Sequence, residues 1–288
     1  MTTIADLGAS GVYGRHLLPR LALRGHSVRA LVRSPDTAHH ARASGVDVRA
    51  ADIFDEASLA AGLEGCDVAL NLATALRDDG AGSDYARNDA VRREGVPRFL
   101  AACAKAGVPR VIQQSISMVH TAGAEWADED TPTTPTGNPV ADAANDAARD
   151  MEAAVMASPL NWLILRGGLF YGPGTGFDDA WFALARAGKL RLPGDGSGYV
   201  SLVHIADMAA ATVKAVESDA SRQALIVSDG APSTWADVFG FVAASIGAPP
   251  PAAGGRLGFG SWRVRNDRAR AALGWAPVYG DYRAGLTH

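Results

Sequence analysis

Residues 8–14, Gly-Ala-Ser-Gly-Val-Tyr-Gly, stand directly after a short apolar run, Thr3 to Leu7, and open an amphipathic segment, Val12 to Leu23. This placement constrains the fold more than any other feature. Small residues between a strand and a helix let a ligand lie against the backbone. The free N–H groups and the dipole at the helix start favour a pyrophosphate there. Gly8, Ser10, Gly11, Val12, Tyr13 and Gly14 are therefore the expected phosphate-binding positions. The glycine string alone would be weak evidence, since a tight turn has the same composition. The strand before it, the helix after it and a further strand at Val28 to Val32 give it weight.

The alternation of short apolar runs and helical patterns continues through the first half. A strand is expected at Val46 to Ala50, a helix near Glu56 to Leu63, a strand at Asp67 to Asn71, a helix from about 93 to 106 and a strand at 110–114. This pattern reads as a parallel sheet covered on both faces. The segment TPTTPTGNP, ending at Pro139, is a loop by its proline content. A helix from Val140 to Met156 and a sixth strand at 162–165 follow. Beyond Gly172 helices are expected near 178–187, 205–217 and 234–246. The fold class expected is α/β, a Rossmann doubly wound parallel sheet with a small C-terminal substrate lobe. Its domains would be 1–170 for the nucleotide and 171–288 for the substrate, with some segments exchanged between the two.

With 288 residues, 48% apolar content and a formal charge of -4, the chain can bury a large core and carries no basic footprint for nucleic acid or an anionic membrane. A small molecule is the expected partner. Cys66 and Cys103 form no CxxC pair or Cys/His cluster, so neither disulfide nor metal is expected. No basic leader and no long apolar run is seen, which makes the cytoplasm the expected compartment.

The second strand ends in Leu31-Val32-Arg33-Ser34. An acidic side chain here would bind the adenosine ribose, and a basic one would receive a 2′-phosphate. Arg33 therefore favours NADP(H) over NAD(H), although a merely solvated Arg33 is the alternative. GASGVYGRHLLPRL, ALVRSP, Ala51-Asp52-Ile53, Asn71-Leu72-Ala73-Thr74, LRGGLFYGPG, SLVHIADMA and RARAALGW together resemble the extended short-chain dehydrogenase/reductase family, which includes NAD-dependent epimerases and dehydratases. The similarity covers nearly the whole chain. It implies that Asp52 and Ile53 hold the adenine and that Leu72, Ala73 and Thr74 run along the cofactor. It also makes a homodimer through the long Rossmann helices an expectation.

The resemblance exposes a departure. The family's hydride chemistry uses a Tyr as proton donor or acceptor and a Lys four residues later, one helical turn away on the same face. The matching segment, 137–144, reads GNPVADAA, which puts Val140 and Ala144 at those positions. Neither exchanges a proton. Ile116 stands in the family's Ser-Ser or Ser-Thr pair, and Arg92 replaces the Asn of its NxxG segment.

Three readings follow: a reductase with a different proton source, a non-redox cyclase, isomerase or lyase, and an inactive NADP(H) sensor. The reading adopted is an NADP(H)-dependent, reductase-like enzyme acting on a small, hydrophobic secondary-metabolite carbonyl. Ser115 and Ser117 at the end of the fifth strand are candidates for orienting a carbonyl. His120 is the candidate proton carrier, because its ordinary pKa suits neutral pH. Tyr13 either faces the nicotinamide or packs. Tyr85, Trp181 and Tyr199 could line the substrate pocket. Tyr171, His204 and Asp207 read as structural. Arg186, Lys189 and Arg191 are the lobe's own phosphate candidates.

Overall fold

The computed structural model of the chain describes residues 1–76, 84–121, 123–256, 258 and 260–286. Seven strands form its central sheet: β1 (Thr3–Leu7), β2 (Ser27–Val32), β3 (Asp47–Ala50), β4 (Val68–Asn71), β5 (Arg110–Ile116), β6 (Asn161–Gly167) and β7 (Gln223–Val227). All pairings are parallel, in the order β7-β6-β5-β4-β1-β2-β3. Chain order reverses between β1 and β4, so the crevice for a ligand opens at the carboxyl ends of those two strands.

Eight helices carry the argument: α1 (Val12–Leu23), α2 (Glu56–Leu63), α3 (Tyr85–Ala90), α4 (Val96–Lys105), α5 (Pro139–Ala157), α6 (Phe177–Arg186), α7 (Ile205–Glu217) and α8 (Trp235–Ser245). The strands are apolar on both faces because both faces are covered. Leu17, Leu18 and Leu21 of α1 and Met208 of α7 pack on one side. Leu59, Phe99, Cys103 and Met151 from α2, α4 and α5 pack on the other.

The helix expected from about residue 93 starts earlier. The Asp84 side chain caps α3 by accepting from the Arg87 N–H, and a π-helical turn, Val91–Gly95, joins α3 to α4. Pro97 at the start of α4 needs no donor there, so it does not break the rod. β7 and α7 belong to the sheet layers although they follow residue 170. The remaining C-terminal segments form a lobe with a core of Trp181, Trp235, Phe239 and Trp262. Short pairs such as Arg191–Pro193 with Ala252–Gly255 border it. Among the described residues no helix is long and apolar enough to cross a membrane.

Candidate functional site

A cavity of about 810 Å³ follows the carboxyl ends of the strands and continues between the sheet and the lobe. Gly8, Ser10, Gly11, Val12 and Tyr13 line one end. Gly8 has φ +105°, and a Cβ built on it would lie 2.6 Å from the Leu72 carbonyl carbon. Only glycine fits between the ends of β1 and β4. The start of α1 has Gly11 as its N-cap, no capping side chain and no acidic residue in its first turn. An anion therefore meets main-chain donors and no competing carboxylate, which is the fit a dinucleotide pyrophosphate requires. Gly14 is outside the cavity wall. Its missing Cβ would fall 2.2 Å from the Ala9 carbonyl oxygen, so its role is close packing of α1 on the loop.

Arg33, Asp52 and Ile53 form the next stretch of wall. Arg33 is exposed at the end of β2. Asp52 accepts from the Phe54 N–H at 2.9 Å, which fixes the turn beside Ile53. Leu72, Ala73 and Thr74 run along the cavity from the end of β4. Asn88, which no sequence signal singled out, holds this stretch. Its Oδ1 accepts from Thr74 Oγ1 at 2.7 Å and from the Ala75 N–H at 3.1 Å. It sits one turn before Arg92 on the α3 rod, where helical periodicity could have flagged it.

The α5 wall carries Val140 and Ala144, the positions that the family resemblance gives to Tyr and Lys. Asn138 caps the helix, its Oδ1 accepting from the Val140 and Ala141 N–H groups. Val140, Ala141 and Ala144 then face the cavity. Val140 is half exposed, so the surface offered here is open hydrocarbon. Arg92 reaches across from the π-helical turn and donates from Nη1 to the Ala144 carbonyl at 3.0 Å.

Two catalytic candidates, the proton carrier His120 and the carbonyl-orienting Ser115, are corrected by their placement. His120 is buried and absent from the cavity wall. Its Nε2 lies 2.8 Å from Arg166 Nη1 and its Nδ1 lies 3.2 Å from the Thr131 carbonyl. Arginine only donates, so Nε2 accepts and Nδ1 carries the proton toward Thr131. Burial, and then the neighbouring Arg166, push its pKa down to about 4, which leaves a neutral structural ring. Ser115 also lies outside the wall and donates to Glu152 Oε1 at 2.6 Å. Glu152 in turn binds Arg166 through both oxygens. The two candidates are parts of one buried network that ties β5, α5 and β6 together. Ser117 does line the cavity, and its hydroxyl has no partner among the described residues.

Tyr13 touches the cavity, but its phenol pairs with Thr212 of α7 and its ring sits edge-on to Phe170 at 5.5 Å, so it packs. Tyr85 lines the cavity and is 53% exposed. Trp181 is in the lobe core, and Tyr199 lies under the Arg263 guanidinium, 4.8 Å from its ring centroid. Neither reaches the wall. His204 caps α7 by accepting from the Ala206 N–H, and Asp207 accepts from the Val278 and Tyr279 N–H groups. Tyr171 is buried edge-on to His204.

Comparison with known proteins agrees with this geometry. A family model described as NAD(P)H-binding matches residues 8–219. A 3-diazoavenalumate denitrifying reductase from a Streptomyces species is 36% identical, with 97% of each chain covered. A 4-hydroxy-2-methyl-3-oxo-4-farnesyl-3,4-dihydroquinoline-1-oxide ketoreductase from Stigmatella aurantiaca is 26% identical over 94% of this chain and 84% of its own. Among solved structures, the UDP-glucose 4-epimerase of Thermotoga maritima superposes with a TM-score of 0.81 at 19% identity, covering 99% of this chain and 96% of that one. MoeE5 in complex with UDP-glucose and NAD superposes with a TM-score of 0.80 at 22% identity and the same coverage. At such identities the superpositions show the shared fold. With a glycine cradle matched by the family model and a reductase relative along its full length, the chain belongs to the NAD(P)H-binding family and has the fold of the nucleotide-sugar epimerases it superposes on.

Proposed function

We propose that this chain is an NADPH-preferring reductase for a small, largely apolar substrate whose reactive carbon accepts a hydride without a proton from the protein, the carbon of an arene diazonium being the class that fits. The carrying observation is the α5 wall, where Val140 and Ala144 present hydrocarbon to the cavity at the positions that the family resemblance gives to Tyr and Lys. Bound NADPH would supply the hydride. At a diazonium carbon a new C–H bond forms, the C–N bond breaks, and its electron pair leaves with N2. No proton moves, so a wall without an acid suffices. The full-length relative named as a denitrifying reductase of a diazo acid supports this class. Arg33 at the end of β2, where no carboxylate is available, supports the 2′-phosphorylated cofactor.

Within this reading the chain's own groups position and exclude. The Gly8–Gly14 loop and the Leu72–Thr74 stretch hold the dinucleotide along the strand ends. Leu76, Tyr85 and Val140, all exposed and all on the cavity wall, give the substrate an apolar mouth. Ser117 offers one free hydroxyl at the end of β5.

A carbonyl substrate is the second reading. The ketoreductase relative and the phenol of Tyr85 in the cavity wall favour it, because Tyr85 could give the proton that Val140 cannot.

The test uses NADPH carrying deuterium at the transferred position, offered with an ortho-hydroxyaryl diazonium and, separately, with an aryl ketone. Deuterium at the former C–N2 carbon, N2 release and full retention of activity in Tyr85→Phe are expected. Deuterium transfer to the ketone alone, abolished by Tyr85→Phe, would replace the diazonium reading with the carbonyl one. Unlabelled products throughout would defeat both.

A further inference from the structure

Arg92 is the feature of this cavity that the hydride chemistry leaves unused. It sits in a five-residue π-helical turn, a wider coil that re-aims side chains and recurs at functional positions. Gly95 lets the turn pack closely on the cavity-lining Ile53, since a Cβ there would lie 2.9 Å from the Ile53 side chain. The turn sends the guanidinium over Ala144, whose carbonyl takes one of its five N–H donors. The side chain lies on the cavity wall and is partly buried.

No carboxylate among the described residues forms an ion pair with it. Glu152, the nearby acid most buried, is occupied by Arg166 and Ser115, and Arg93 next to Arg92 pairs with Asp150. Desolvation accordingly pushes the guanidinium's pKa down, with Asp89 and Glu152 only partly offsetting it. A half-desolvated cation without a counterion is costly, and the neutral ribose of a dinucleotide does not neutralise it. The cofactor's pyrophosphate is assigned to the glycine loop at the start of α1. The missing anion must therefore come from the substrate.

We propose that Arg92 is the substrate-anchoring residue and that it binds a carboxylate, so that the substrate is an aryl carboxylate with its ring against the apolar mouth and its acid group on the guanidinium. The planar fork of arginine matches the two oxygens of a carboxylate, and the donors left over from Ala144 suffice for that pairing. The assignment rests on the reductase reading in one respect, that substrate occupies the part of the cavity beside α5.

Cinnamate and cinnamamide have the same shape and differ in charge, so their affinities isolate the ion pair. They are titrated calorimetrically into the full chain, with and without NADP+. The wild type should bind cinnamate at least about tenfold more tightly than cinnamamide. Arg92→Gln should erase that preference while changing NADP+ affinity by less than about threefold, and Arg92→Lys should retain part of it because the charge stays. Equal affinity of wild type for the two probes overturns the assignment, whether or not NADP+ binds. A large loss of NADP+ affinity in Arg92→Gln with the preference intact overturns it too, and hands Arg92 to the cofactor. Failure of the wild type to bind NADP+ is a separate result, which would defeat the reductase reading. The wild-type probe pair decides the matter even if a variant does not fold.

Discussion

Asp6→Asn should change the pH dependence of stability in a way that can be worked out from burial. Asp6 lies in β1, on the same face as Ile4, under α1 and α7. It is fully buried and neither carboxyl oxygen has a partner among the described residues. Desolvation raises its pKa from 3.8 to about 7. The folded chain therefore holds a proton that the unfolded chain releases above about pH 4. The stability tied to that proton is fully present below the unfolded pKa and is lost as pH rises through the folded one, about 4 kcal/mol in all. Asp229, also raised to about 7 mainly by burial, behaves alike.

His120 and His204 act in the opposite sense. Burial lowers each from 6.5 to about 4, so their contribution of about 3 kcal/mol each is present above the unfolded pKa and lost as pH falls toward the folded one. From about pH 4 to 6.5 the two carboxyls lose stability with rising pH and the two histidines gain it, so these four contributions oppose one another. Asp6→Asn keeps size and burial but removes one falling contribution. The variant's stability relative to wild type should climb by about 1.4 kcal/mol per pH unit up to about pH 7. Urea unfolding followed by tryptophan fluorescence at several pH values, with unchanged m-values, measures this. Parallel stability curves for the two proteins would refute the argument.

The remaining expectations concern the site. Gly8→Ala forces a Cβ against Leu72 at φ +105°, so NADPH affinity should fall at least about tenfold in calorimetric titration, with a stability loss of about 1–3 kcal/mol. Arg33→Ala should weaken NADPH about tenfold and leave NADH unchanged, and equal weakening of both would remove the 2′-phosphate role. His120→Phe strips Arg166 of an acceptor inside the dry β5–β6 network, so chemical denaturation should show a loss of about 2 kcal/mol while kcat stays within about threefold. A tenfold lower kcat at unchanged stability would return His120 to the chemistry. Ala144→Lys brings a second cation beside Arg92 and should cost about 2 kcal/mol, recovered when combined with Arg92→Asn; simple additivity in that double-mutant cycle would contradict the shared position.

Where a function is carried by the backbone or by periodicity, the sequence was readable. The glycine loop and the ends of β1, β2 and α1 follow from local rules, since the residues involved are neighbours in the chain, whereas Asp52 and Ile53 were singled out only by the family resemblance. Side-chain direction was not legible. Ser115 and Ser117 differ by one strand repeat and are both buried, yet Ser115 donates to Glu152 while the Ser117 hydroxyl has no partner among the described residues. The 3₁₀ turn at Ser117–Val119 breaks the alternation that would have put them on one face. His120 had a suitable ordinary pKa, but burial, and then Arg166 46 positions away, decide its state. β7 was missed because its pairing with β6 is a contact over a long connection, which no local pattern encodes.

The same limit applies to the replacements at 92, 140 and 144, which read in sequence as three separate losses. In space they compose one surface. Ala144 contributes no side chain beyond Cβ, which leaves room above its carbonyl, and the Arg92 guanidinium takes that carbonyl from the neighbouring rod. A lysine at 144 would compete for the same volume with a like charge. On the proposed reading, the cation lies on the π-helical turn rather than on α5, and hydrocarbon stands at Val140 on the same cavity wall. A site with a positive charge and no proton donor on α5 would hold an anion beside a carbon that needs only a hydride, and this is the property that joins the proposed reaction to the proposed substrate.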